Sequence, residues 1–250
     1  MFLNEREVNN DEAGTTVSLI RGVLRGLKDH GYKIGGFNAY ATSDVLVGAG
    51  LSSSAAFEVV VGTIISGLYN DMKINSVEIA QISQYAENVF FKKPCGLMDQ
   101  MACSVGGMVN IDFKDPTKPI VKKVPTEFEK YDYSLCIVDT KGDHVDLTDD
   151  YAMIPSEMKK VANFLGEDYL RDCDSNEFYI RLDEIREAVG DRPVLRAIHF
   201  FNEEYNVKNA VSSLENGKFV EFLDAIRKSG NSSFKYLQNV YTTRDIQHQN

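Results

Sequence analysis

The sequence predicts an α+β protein. Segments with strand-like patterning fall into clusters, at 36–48 and 108–139, and do not alternate regularly with helices. From about residue 150 the pattern is helical almost to the end. No repeat and no low-complexity linker interrupts it.

Residues 15–30 carry Val17, Ile20, Val23, Leu24 and Leu27 at helical spacing, and Gly31 suits the stop. Phe37, Ala39 and Ala41 alternate within 36–48 and Val45 and Val47 follow, which predicts one or two strands. Small residues at 48–54 form a turn into a strongly apolar helix over 55–69, buried on most sides. Residues 75–91 are amphipathic, with Val77, Ile79, Ile82, Ala86, Val89 and Phe90 on one side and Asn75 or Ser76 as cap. Pro94-Cys95-Gly96 ends that helix, and 97–105 begins another. Gly106-Gly107 is a second break, where the domain change is placed, giving domains at 1–106 and 107–250. Segments 108–113, 120–124 and 133–139 are short and β-rich. Helices then follow over 150–165, 176–189, 192–206, 207–215 and 218–237.

At about 150 residues per domain, 250 residues correspond to between one and two domains. Lys and Arg number 27 against 37 Asp and Glu, a net charge of −10. That balance argues against a nucleic-acid surface, which needs a basic patch. No apolar run is long enough to span a bilayer. Residues 1–10 are polar, without the apolar core of a secretory signal. Cys95, Cys103, Cys136 and Cys173 show no Cys-x-x-Cys spacing and read as free thiols in a reducing cytoplasm. His30, His144, His199 and His248 lack ligand-like spacing. An anionic ligand would need a local device to offset the net charge.

The stretch Gly48-Ala49-Gly50-Leu51-Ser52-Ser53-Ser54-Ala55-Ala56 supplies one. It joins a strand to an apolar helix. Glycines let the backbone turn tightly and approach a ligand. A helix start presents free N–H groups and about half a positive charge, so it favours a phosphate. No Gly-Lys-Ser/Thr follows, so it is not a Walker loop. The plainer reading is a serine N-cap, although three serines exceed what one cap needs.

This stretch resembles the second signature of the GHMP small-molecule kinases, roughly Pro-x-Gly-x-Gly-Leu-Ser-Ser-Ser-Ala, with Leu46 where proline is usual. Ala86-Glu87 and then Pro94-Cys95-Gly96-Leu97-Met98-Asp99-Gln100 resemble the segment typical of the galactokinases in that superfamily. A diffuse likeness extends through 133–140 and Asp149-Asp150-Tyr151 into the late helices. The resemblance implies the GHMP kinase fold: an N-terminal part like domain 2 of ribosomal protein S5, a C-terminal α+β domain, and an active site in the cleft between them. It implies ATP-dependent phosphorylation of galactose at C1, with ATP and Mg²⁺ required. Gly48, Ala49, Gly50, Leu51, Ser52, Ser53, Ser54 and Ala55 would cradle phosphate. Ser54 and Glu87 would hold Mg²⁺, a hard ion suited to oxygen ligands. Asp99 would serve as base for the C1 hydroxyl, and Gly96, Asp99 and Tyr151 would contact the sugar. Gln100 receives no role.

Two departures bear on activity. Galactokinases open with an arginine that assists catalysis and a Glu-His-x-Asp cluster that holds sugar hydroxyls; residues 1–10 contain Arg6 and no Glu-His pair. Their glycine-rich third motif is also missing before Asn250. A chain truncated in this way is expected to turn over weakly at best. Its first sheet is expected to expose an edge that favours a homodimer. The alternatives are a galactose- and ATP-binding sensor without turnover, and a GHMP kinase for another sugar.

Overall fold

The computed structural model describes residues 8, 10–45, 50–115, 117–138 and 148–240. The chain divides into two compact units, Met1–Lys123 and Val124–Asn250.

In the first unit, α1 (Thr16–Asp29) is capped by the Thr15 hydroxyl, which accepts from the Ser18 amide, and ends at Gly31 with φ +82°. Its apolar stripe, Leu19, Val23, Leu24 and Leu27, is buried. Helix α2 (Ser53–Tyr69) buries Val59, Val61 and Ile65 against it. Helix α3 (Ser76–Tyr85) starts at Asn75, whose Oδ1 accepts from the Glu78 amide at 2.9 Å. The sequence predicts this helix as continuous to residue 91. Instead the backbone widens into a π-turn over Ala86–Phe91 and stops at Lys92, with φ +68°. Such insertions shift side chains off the helical register. The close approach of α1 to the π-turn requires glycine: a Cβ on Gly22 would lie 2.6 Å from that of Ala86.

Helix α4 (Met98–Val105) follows the Pro94-Cys95-Gly96 break as expected. Leu97 and Met101 pack with Ala80 in a smaller core that also takes in Ile111 and Val121. After Gly106 and Gly107, both at positive φ, β1 (Val109–Asp112) pairs antiparallel with β2 (Ile120–Lys123), with Val109 opposite Lys123. These are the only strands among the described residues. The strands expected at 36–48 and 133–139 are not formed over residues 36–45 and 133–138, and 46–48 and Asp139 lie outside the described residues. Alternating side chains bury nothing without a neighbouring ladder. Tyr40, Leu135, Ile137 and Val138 are accordingly exposed.

Among its described residues the regular structure of the second unit is helical, beginning with a 3₁₀ turn over Phe128–Tyr131. Helix α5 (Thr148–Phe164), α6 (Ser175–Ile180), α7 (Leu182–Val189) and α8 (Asp191–Glu215) enclose a core of Val161, Phe178, Ile185, Val194 and Ala197. The single helix predicted over 176–189 is interrupted at Arg181, which bonds to Glu177 and Glu184 on either side. The two helices predicted over 192–215 are one, since no glycine or proline divides them. Within this bundle the buried Glu157 accepts from Arg196 at 2.9 Å and Arg192 at 3.0 Å. Helix α9 (Phe219–Ser232) runs into a second π-turn, Ser233–Leu237. Its Phe219 stacks on Tyr131 at 4.3 Å between ring centres. Among the described residues no helix is long and apolar enough to cross a membrane.

Candidate active site

The phosphate-like turn enters α2 through two left-handed residues, Gly50 at φ +71° and Ser52 at φ +55°. A non-glycine residue there costs about 1–2 kcal/mol, so the surroundings must hold Ser52 in place. One tie is visible: Ser52 Oγ donates to Asp99 Oδ2 at 2.5 Å. Ser52 stands at the cap position of α2 yet makes no side-chain cap bond. The plain N-cap reading therefore does not describe its hydroxyl, and the first amides of α2 receive no bond from it. Ser53 and Ser54 begin the helix itself.

Ser54 Oγ donates to Glu87 Oε1 at 2.9 Å. The π-turn carries Glu87, and its carboxylate is buried although Lys93, Gln100 and the Cys95 thiol also reach it. Lys93 Nζ lies 3.3 Å from the same oxygen. Gln100 Nε2 donates to the other oxygen, Oε2, at 2.7 Å. Asp99 sits exposed in the first turn of α4, one residue before the fully buried Gln100. Gly96 has open space where a side chain would project. Helix α2, the π-turn and α4 thus bring Ser52 to Asp99 and Ser54 to Glu87 within one compact unit. Leu51 is half-buried and Ala55 buried. Gly48 and Ala49 lie outside the described residues. Tyr151 is exposed on α5 in the other unit.

Glu58, one turn beyond Ser54 on α2, has no solvent exposure. Its Oε2 accepts from Gln100 Nε2 at 3.3 Å. Burial first, and then the neighbouring charge of Glu87, push its pKa up to about 8, against the opposing Gln100 bond. The sequence reading assigned nothing to Glu58, Lys93 or Gln100. One signal was there: a lone carboxylate inside the apolar run Ala55-Ala56-Phe57-Glu58-Val59-Val60-Val61. Burial, with Glu87 adding, also pushes the Cys95 thiol up to about 12, which leaves it inert.

A carboxylate and a hydroxyl converging on one point suit a hard divalent cation. Among the described residues no group of three or more His, Cys, Asp or Glu side chains is placed to hold a metal. The Lys93 ammonium beside Glu87 Oε1 marks the same point as favourable to positive charge.

A sequence model of the GHMP kinases N-terminal domain matches residues 18–107. The galactokinase of Streptomyces coelicolor is 32% identical over 219 residues, covering 86% of this chain and 54% of its own length. That of Limosilactobacillus reuteri is 30% identical over 240 residues, covering 94% and 59%. The chain belongs to the GHMP kinase family. Among solved structures, Lactococcus lactis galactokinase complexed with galactose superposes with a TM-score of 0.67 at 19% identity, over 95% of this chain and 60% of that one. The fold is therefore that of the GHMP kinases, a mixed α+β architecture. The chain spans about half the length of the curated relatives it matches. The matched GHMP kinase segment contains every candidate site residue of the first unit, from Gly48 to Gln100.

Proposed function

We propose that this chain carries the phosphate-handling part of a galactokinase, which transfers the γ-phosphoryl group of ATP to the C1 hydroxyl of galactose. The observation that carries this reading is the paired geometry of Ser52 with Asp99 and Ser54 with Glu87 at the start of one helix. The galactokinase relatives supply the substrate class.

In this reading Gly48 to Ala55 wrap the phosphates, with the amides at the start of α2 directed at their negative charge. Glu87 and Ser54 hold Mg²⁺, which when bound neutralises charge on the β- and γ-phosphates. Asp99 accepts the proton of the C1 hydroxyl as its oxygen bonds to the γ-phosphorus, and the bond from that phosphorus to the β–γ bridging oxygen breaks. The products are galactose 1-phosphate and ADP. The Ser52 hydroxyl keeps the Asp99 carboxylate aimed. Gly96 gives the sugar room against the backbone.

Thermal unfolding with Mg·ATP, with galactose and with both, followed by a product assay, tests the reading. Each ligand should raise the unfolding temperature by mass action, and galactose 1-phosphate should form. Asp99→Asn should retain the ATP-induced rise and lose product by about 10²-fold or more. Stabilisation without product in the parent chain would make it a sensor. Product from another sugar in preference to galactose would reassign the substrate. No response to Mg·ATP would sink the proposal.

A further inference from the structure

Gln100 is fully buried, and its single amide nitrogen faces two carboxylates, Glu87 Oε2 at 2.7 Å and Glu58 Oε2 at 3.3 Å. A side-chain amide has two N–H donors on that nitrogen. Turning the amide over would set its oxygen against the Glu87 carboxylate at 2.7 Å, so that carboxylate dictates its orientation. The three residues come from three elements: Glu58 from α2, Glu87 from the π-turn and Gln100 from α4.

Glu87 is consequently held from behind. Oε2 is taken by Gln100, and Oε1 is left toward Ser54 at 2.9 Å and Lys93 at 3.3 Å. The arrangement carries a cost. Glu58 Oε1 and Gln100 Oε1 are buried with no hydrogen-bond partner, and an unsatisfied buried acceptor costs about 1–3 kcal/mol. An apolar pair would fill the same space without that cost. We propose that Glu58 and Gln100 are positioning residues: Glu58 fixes the Gln100 amide, which locks the Glu87 carboxylate with Oε1 directed at the cation and phosphate position. This deepens the kinase reading above and rests on it, since the orientation of Glu87 matters only if Glu87 holds a metal with Ser54. Partners behind a ligand commonly change metal affinity by 10–100-fold when removed.

Manganese serves as the probe, with free Mn²⁺ followed by electron paramagnetic resonance in the presence of ATP. ATP binding without metal is measured in parallel. In Gln100→Met, Mn²⁺ affinity in the ATP complex should fall about tenfold or more, while metal-free ATP binding stays as in the parent. Glu58→Met should fall likewise. Glu58→Gln, which keeps an acceptor for the Gln100 amide, should stay near the parent. A purely structural role would shift metal-free and metal-loaded binding together and would give no rescue by Glu58→Gln. Should Gln100→Met fail to fold, Gln100→Asn decides, because it keeps the amide and shortens its reach. Mn²⁺ affinity unchanged in the folded Gln100 variants overturns this proposal alone. A parent chain that binds no Mn²⁺ with ATP overturns both this proposal and the kinase reading.

Discussion

Glu58 is the residue whose environment departs furthest from its chemistry. Its pKa stands at about 8 in the fold, raised from 4.5 by burial and by Glu87. Between those values the native state binds a proton that the unfolded chain has lost. Stability from this group is therefore fully present below about pH 4.5 and is lost as pH rises through 8. Glu58→Gln has no such proton to lose. The unfolding temperature of the variant relative to the parent should rise between pH 5 and pH 8.5, and parallel curves would refute the assignment. Motif residues such as Ser54 and Glu87 stood out in the sequence because they sit in short contiguous signatures. Their 2.9 Å contact did not, because it depends on how two helices meet. Gln100 lay inside a recognised segment and still received no role, since its partners come from elements 13 and 42 residues away.

At the scale of elements, local chemistry was the legible part. Thr15, Asn75 and Gly31 mark helix ends because caps and stops act over three or four residues. The strands expected near residues 37–41 were misread because alternation describes a strand only where a partner pairs with it. The π-turn at Ala86–Phe91 was invisible to a 3.6-residue period, since its apolar residues continue the same face. That turn depends on the contact with α1. Gly22→Ala would drive its methyl to 2.6 Å from Ala86 Cβ and 3.1 Å from Phe90 Cβ. Overpacking of this kind costs about 1–3 kcal/mol. Gly230→Ala on α9 meets nothing within 4 Å, so it should be neutral or stabilise by up to about 1 kcal/mol. Denaturant unfolding of the two variants should place them on opposite sides of the parent, and equal effects would contradict the close approach.

For the whole molecule, each compact unit has its own core. Val23, Leu27, Ile65 and Ile82 anchor the first, and Phe178, Val161 and Ile185 the second. Phe178 is fully buried, and Phe178→Ala should cost about 3–5 kcal/mol. Hydrogen exchange should show the loss in α5 to α8, with amide protection in α1 to α3 retained; equal loss in both would mean that the units unfold as one. In the kinase reading, the acidic balance of the chain is offset locally by the start of α2 and by Lys93 beside Glu87.

The chain order of these parts has a consequence for synthesis. Ser52, Ser54, Glu58, Glu87, Asp99 and Gln100 all belong to the unit that leaves the ribosome before Val124–Asn250. Translation adds about 5–20 residues per second, and N-terminal domains generally fold as they emerge. The helix start, the buried carboxylates and the bridging amide can therefore settle together while α5 to α9 are still being made. This buried polar cluster, which would suffer from wrong pairing with later segments, is assembled before those segments exist.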